Sequence, residues 1–318
     1  MKKKRIILLC AGIAALLCSC QKENFKEVEK ISFKQEKFSM TEGQTMNLNT
    51  DNIVITPPEA KEFLNMDKAE LTSDNKESVA VEITASGFTV KALYEGSSTI
   101  TMKFTDTHGN IKTATATVEV GAAYEYVDLG LSVKWAVCNI GAQAAEAYGD
   151  YFAWGETVSK EKYETSNYAH CEGEPDTYTK YCTSIDKGKS VDNKTVLESV
   201  DDAATVLWGE TWRMPTKAEM EELIKSLEWS ISVGKTTIFT GKAKNGGTIV
   251  IPAAGYKQSK LSSTDCAYYW TSTLVDKSCS QAYYFYGEED WFEEGQPAVS
   301  IEKYGRVIGL PIRPVRAK

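Results

Sequence analysis

Histidine is almost missing from this chain: His108 and His170 are the only two in 318 residues. A Ser-His-Asp or Cys-His catalytic group therefore has little to be built from. Zinc is disfavoured for the same reason and for another, since no C-x-x-C spacing occurs after residue 20. Neither G-x-G-x-x-G nor a P-loop is present, so no cofactor or phosphate cradle of those kinds is expected. Basic residues are the minority, 36 against 44 acidic, which argues against nucleic acid or another polyanion as a partner. Long apolar runs are confined to residues 6–17. About twelve residues at 1.5 Å rise cover roughly 18 Å, short of a hydrocarbon core of roughly 30 Å. Tryptophan is absent from the first 134 residues, and all seven follow: Trp135, Trp154, Trp208, Trp212, Trp229, Trp270 and Trp291.

What is present begins with a basic start, Lys2, Lys3, Lys4 and Arg5, then that apolar run, then small residues up to Cys20. This is the layout of a secretory signal. The string L-C-S-C ending at Cys20 resembles a bacterial lipobox, and the resemblance implies cleavage before Cys20 and a lipid on its sulfur. Residues 1–19 are thus expected to be a lipoprotein signal and the polar residues 20–29 a tether. Gln21-Lys22-Glu23-Asn24 is loosely similar to surface-export signals of Bacteroidetes lipoproteins, which implies an outer-membrane lipoprotein exposed at the cell surface. Loss of the signal's four basic residues leaves 32 against 44 acidic, a formal charge of −12. Roughly 300 remaining residues suggest two domains.

Residues 30–121 read as short strands. Phe38 and Met40 lead through Glu42-Gly43 to Met46 and Leu48; Val79, Val81 and Ile83 alternate, as do Phe88, Val90 and Ala92. Ile100, Met102 and Phe104 form a further inward stripe, His108-Gly109-Asn110 a hairpin turn, and Ala114, Ala116, Val118 and Val120 a closing strand with threonines outward. The order E-G, S-D-N-K-E, S-V-A-V, Y-E-G-S-S-T-I-T and T-A-T-V-E-V resembles the bacterial Ig-like group 2 domain. That implies an all-β sandwich acting as a spacer or in adhesion.

Residues 122–318 carry the second core. Leu131, Val133, Trp135 and Val137 predict a strand, followed by a glycine-rich stretch from Tyr148 to Glu156. Thr216 and Glu219 predict a capping box for a helix burying Met220, Leu223, Ile224 and Leu227. A second helix starts near Asp201-Asp202 with Ala203, Val206 and Leu207. Strands are expected again at residues 248–251, 268–274, 281–286 and 312–316. Helices segregated from sheet are α+β grammar.

Y-V-D-L-G-L-S-V-K-W-A-V-C-N-I at 126–140, Y-G-D-Y-F-A-W-G-E-T at 148–157, D-D-A-A from Asp201, W-G-E-T-W-R-M-P-T-K-A-E-M-E-E-L from Trp208, I-P-A-A-G-Y from Ile251, Y-W-T-S-T from Tyr269 and G-R-V-I-G-L-P-I-R-P-V-R from Gly305 closely resemble the Fibrobacter succinogenes major paralogous (FISUMP) domain. The resemblance implies a C-type-lectin-like fold in which the first and last strands pair. Distant kinship of that fold to formylglycine-generating enzymes, which use reactive cysteines, is the enzyme reading. Against it, no paired cysteine motif is present and Cys138 is expected as an inert thiol on a buried strand.

Five cysteines follow Cys20: Cys138, Cys171, Cys182, Cys266 and Cys279. Cys171 with Cys182 and Cys266 with Cys279 are the tempting local pairs, and the connectivity stays open. Arg213, Arg306, Arg313 and Arg316 could form an anion clamp, but stacking on tryptophans and binding of carboxylates such as Asp201 or Asp202 is the favoured role. Glu174-Pro175-Asp176 is similar to sugar-binding tripeptides of C-type lectins, but precedes both helices and has no W-N-D partner downstream. The candidate surface is the acidic, aromatic loop with Glu288, Glu289, Asp290 and Trp291, where carboxylates could bind sugar hydroxyls and an indole could stack on a pyranose. The sequence therefore points to a multidomain, non-catalytic lipoprotein, an all-β Ig-like sandwich followed by an α+β C-type-lectin-like domain, membrane-bound through its lipid. Its expected ligand is a glycan or an extracellular or host protein. A structural envelope or appendage component is the alternative.

Overall fold

The computed structural model describes residues 28–63, 68–84, 87–106, 109–185, 188–293 and 295–318. The signal segment, Cys20 and His108 lie outside them. Strands dominate, and two compact units separate. One takes in the chain up to Phe38, Thr45–Val90 and Ser97–Val118; the other takes in Ser39–Gln44, Lys91–Gly96 and Glu119–Lys318. Among the described residues no helix is long and apolar enough to cross a membrane.

Among the described residues nine strands occupy the N-terminal part: β1 Lys30–Phe33, β2 Lys37–Thr41, β3 Thr45–Leu48, β4 Ile53–Thr56, β5 Glu70–Ser73, β6 Val79–Thr84, β7 Gly87–Ala92, β8 Gly96–Thr105 and β9 Ile111–Gly121. They form a β1-β4 pair, a sheet ordered β2-β9-β8-β5 and a sheet ordered β3-β7-β6. The period-2 pattern determines which side is buried. Ile100, Met102 and Phe104 of β8 are fully buried, as are Phe88, Val90 and Ala92 of β7 and the alternate residues Ala114 to Val120 of β9. Each large apolar side chain so placed contributes roughly 1.5–3 kcal/mol. The expected stripe fails at Ile83, which is 73% exposed. It lies toward the end of β6, the edge strand of its sheet, and only Val79 at the start of that strand is buried.

The described residues of the larger unit form two short α-helices and four sheets. Tyr126–Val127 (β10), Lys134–Ala136 (β11) and Trp212–Arg213 (β12) join Val315–Arg316 (β21) in the order β10-β11-β21-β12. The last strand thus lies inside the sheet, with Trp135 opposite Val315 and Trp212 opposite Arg316. Glu228–Ser232 (β13), Ile238–Lys242 (β14) and Thr248–Pro252 (β15) form a meander. Tyr256–Lys257 (β16) pairs with Leu261–Ser262 (β17). Ala267–Leu274 (β18), Gln281–Glu289 (β19) and Pro297–Gly305 (β20) form the longest sheet of this unit.

Two strands are shorter than the sequence suggests. Residues 131–133 make bends after Gly130 at φ +73°, so the first strand starts only at Lys134, although Leu131 and Val133 are buried. In the segment 312–316 only Val315 and Arg316 are in the ladder; Pro314 has no amide hydrogen to give it.

Helix α2, Lys217–Ser226, starts at the expected capping box: Thr216 accepts from the Glu219 amide at 3.3 Å and Glu219 accepts from the Thr216 amide at 2.8 Å. Met220, Leu223 and Leu227 are buried in the core with Trp135, Phe239, Tyr269 and Phe285. Helix α1, Ala203–Trp208, is capped by Asp202. It buries Ala203 and Ala204 and leaves Val206 and Leu207 about half exposed, which reverses the face expected from its larger apolar residues.

Between β11 and α1 the described residues include no α-helix and no named strand. A separate small core, with Tyr151, Tyr163, Tyr168, Tyr178, Cys182 and Cys279, holds that segment. Gly149 in the Y-G-D landmark has φ +72°, and a Cβ there would lie 2.3 Å from the Ile140 carbonyl, which accepts from the Asp150 amide. Only glycine fits so close an approach.

Candidate functional site

The hairpin between β19 and β20 builds the acidic, aromatic surface. After the last cross-strand pair, Glu289 with Pro297, the Asp290 amide donates to the Gln296 carbonyl at 2.7 Å. The Asp290 carboxylate turns the chain by accepting from the amides of Phe292 and Glu293, at 2.7 and 3.3 Å. Glu289 accepts from the Gly295 amide at 2.8 Å. These local bonds leave Trp291 86% and Phe292 96% exposed, two large aromatic side chains in succession facing water.

Glu288 orients the indole. Its Oε2 accepts from Trp291 Nε1 at 3.1 Å and from the Tyr286 hydroxyl at 2.8 Å. Burial, then the Glu288 carboxylate, pushes the Tyr286 hydroxyl well above its ordinary value, so it acts as a donor. Beneath the hairpin is a recess of about 420 Å³, lined by Glu288, Glu289, Asp290 and Trp291 with Val233, Thr237, Asp265 and Cys266. All four candidate residues are therefore brought to one place. The other four come from the β13–β14 connection, the start of β14 and the approach to β18, and were missed because nothing local in sequence links them. Among the described residues four carboxylates line the recess and no lysine or arginine does. Such a wall offers hydroxyl or ammonium acceptors beside an indole face.

The four arginines form no clamp; Arg306 and Arg316 lie over tryptophans and Arg213 and Arg316 pair with carboxylates, though not with Asp201 or Asp202. Arg213 pairs with Glu219 rather than Asp201 or Asp202, through Nη1 at 2.8 Å. Arg306 is fully buried over the rings of Tyr178, Tyr168 and Trp154 and donates to the carbonyls of Lys180, Tyr181 and His170. Arg313, also fully buried, donates to Asn139 Oδ1 at 2.7 Å and to the carbonyls of Ala136, Val137 and Ala145. Arg316 lies over Trp212 and Tyr126 and pairs at 2.7 Å with Glu42, a member of the same compact unit. Asp202 serves amides instead: it accepts from Ala204, Thr205 and Met214.

Cys138 is not on a strand; it follows β11 in a bend and is half-buried. Burial raises its thiol above the ordinary value, the opposite of an activated nucleophile. All five cysteines are free thiols in the structure, and their surroundings differ. Cys171 donates to the Thr165 carbonyl at 3.1 Å, and Cys266 accepts from the Tyr286 hydroxyl at 3.7 Å, whereas Cys182 lies against Cys279.

A titratable cluster around Asp201 was not foreseen. Lys180 and the Tyr181 hydroxyl both donate to its Oδ2, and His170 Nε2 lies 3.9 Å from its Oδ1. Burial alone would lower the Lys180 ammonium; hydrogen bonds to Asp201 and Glu198 more than reverse this. His170 Nε2 lies 2.8 Å from the Gly155 carbonyl, which fixes that nitrogen as the donor. Among the described residues no group of three or more histidine, cysteine, aspartate or glutamate side chains could hold a metal ion.

No protein-family model and no curated protein matches the chain. Among solved structures, domains 4 and 5 of the S-layer protein SbsC align with 30% of this chain and 46% of that one, at 26% identity and a TM-score of 0.24. Extracellular cadherin domains 1–5 of protocadherin gamma B2 align with 87% of this chain and 39% of that one, at 12% identity and a TM-score of 0.24. Domains 1–4 of protocadherin gamma B7 align with 88% and 76%, at 9% identity and a TM-score of 0.20. The chain spans less than half the length of the first two, and at such scores these likenesses assign neither fold nor function.

Proposed function

We propose that this chain is an outer-membrane lipoprotein, held by a lipid on Cys20 and exposed at the cell surface. In this reading residues 30–121 are an Ig-like spacer, and residues 122–318 are a C-type-lectin-like head of the FISUMP type that binds without covalent chemistry. The head assignment is supported by the pairing of β11 with β21, which brings its two ends together, and by two helices that follow each other in the chain with only the two-residue strand β12 between them. The binding role is carried by one observation: an indole 86% exposed, oriented by Glu288, beside a recess whose described lining has four carboxylates and no lysine or arginine. Indole and carboxylate together suit a neutral glycan, stacked on the ring and hydrogen-bonded through its hydroxyls, or a basic patch on an extracellular protein. They disfavour sulfated or phosphorylated partners.

The test is titration of the full chain and of Trp291→Ala against panels of neutral glycans and matrix proteins. Because the side chain is already solvated, the variant should keep the wild-type Tm while binding at least about tenfold more weakly. Equal affinity of the two proteins for a ligand that the wild type binds would remove the recess from the function. Protease shaving of whole cells checks the location: the head should be cut together with known surface proteins.

A further inference from the structure

The five cysteines after Cys20 are treated unequally by the fold. Cys138 is half-buried, Cys171 gives its thiol to backbone carbonyls and Cys266 sits in the recess wall. Cys182 and Cys279 differ from these. Both are fully buried and belong to the small core of the irregular segment, and Cys279 is among the causes that raise the Cys182 thiol.

The segments carrying them are fastened to each other. Thr183 Oγ1 donates to the Ser278 carbonyl at 3.2 Å, and Cys279 Sγ donates to the Ser184 carbonyl at 3.0 Å. On the other side, the Asp192 carboxylate accepts from the amides of Tyr181 and Cys182 at 2.8 and 2.9 Å. Gly188 closes over the first sulfur, where a Cβ would come within 2.4 Å of Cys182 Sγ. Hydrogen bonds to backbone thus fasten the 182–184 segment to the 278–279 segment, with both cysteines in one buried core.

We infer that Cys182 and Cys279 form a disulfide, and that Cys138, Cys171 and Cys266 remain thiols. This accounts for the odd number, and it runs across both local pairs that sequence spacing suggests. The oxidant is a disulfide, that of oxidised glutathione or of an envelope thiol oxidase. One cysteine thiolate attacks it, releasing one thiol and leaving a mixed disulfide; the second thiolate displaces the other thiol. The chain loses two protons and two electrons, and the oxidant ends as two thiols. Burial, with Cys279 alongside, pushes the Cys182 thiol up to about 12, so exchange proceeds as the chain folds or while this lobe is open. The bond ties the segment between β11 and α1 to the β18–β19 turn, part of the sheet whose opposite end carries the recess.

The inference is independent of the binding role, and it is tested with the oxidant supplied. The full-length chain is reduced, refolded with oxidised glutathione, alkylated in denaturant and digested without reductant for mass spectrometry. The expected product is a peptide pair joining Cys182 to Cys279, two hydrogens lighter than the sum of its parts, with Cys138, Cys171 and Cys266 alkylated. Alkylation of Cys182 and Cys279 as the main species, or their bonding to Cys171 or Cys266, overturns it. Reductant should also lower the Tm of the oxidised wild type by at least about 5 °C and leave that of Cys279→Ser unchanged. Equal shifts in the two proteins overturn it as well.

Discussion

Replacing Arg306 measures how much of the larger unit depends on one buried cation. Its guanidinium is fully buried and makes 3.0 and 2.7 Å hydrogen bonds to the Tyr181 and Lys180 carbonyls, with a longer one of 3.4 Å to His170. It also lies 4.5 Å from the Tyr178 ring centroid. Lysine keeps the charge but not the planar fork, so Arg306→Lys should leave one or two buried carbonyls unpaired, at about 1–3 kcal/mol each. Some ring contact is retained, and the expected loss is about 2–4 kcal/mol. Arg306→Met abandons every hydrogen bond; relief from burying a charge offsets part of that, and a loss of about 3–5 kcal/mol is expected. At about 2–4 °C per kcal/mol for a unit of this size, Arg306→Lys should melt roughly 5–15 °C lower. Urea denaturation followed by tryptophan fluorescence reads the free energy, and limited proteolysis locates the first cuts, expected between β11 and α1. If Arg306→Lys lies within about 1 kcal/mol of wild type and is cut no faster, the carbonyl bonds are not what holds that segment.

Two further outcomes follow from buried polar groups. Asp202→Ala removes the cap of α1 and the acceptor for the buried Met214 amide, bonded at 2.8 Å, so a loss of about 2–4 kcal/mol is expected in urea denaturation, against near-neutral behaviour for the exposed Val206→Ala. Burial holds the His170 imidazole below its usual 6.5, although the Gly155 carbonyl and Asp201 pull upward. Below pH 6.5 the unfolded chain therefore takes up this proton first: the stability linked to His170 is full above that pH and is lost as pH falls through the lower folded value. Urea midpoints at pH 7.5 and 5.5 should differ less in His170→Gln than in wild type.

Local signals were legible and convergent ones were not. The α2 capping box lies within four residues, and the alternation of Ile100, Met102 and Phe104 follows strand geometry alone, so both could be read without the fold. Val206 and Leu207 misled because Asp202, not an apolar stripe, sets α1: the carboxylate that caps it also holds Met214 and turns the two alanines inward. The buried arginines carried no readable signal, since the acceptors of Arg306 lie at Lys180, Tyr181 and His170, far back in the sequence. The hairpin with Trp291 stood out as a polar, aromatic loop; that Val233, Thr237, Asp265 and Cys266 complete a recess with it depends on how three separate segments pack.

The place of β21 has a consequence for the order of events during synthesis. Val315 and Arg316 lie between β11 and β12 in their sheet, so Lys134–Ala136, paired on its other side with β10, and Trp212–Arg213 both wait for a partner made far downstream of them. Such distant contacts are slow to close. This sheet cannot close from its N-terminal strands alone, and a nascent chain stays threadable until β21 arrives. Loss of β21 would give no smaller version of this sheet, only facing open edges on β11 and β12.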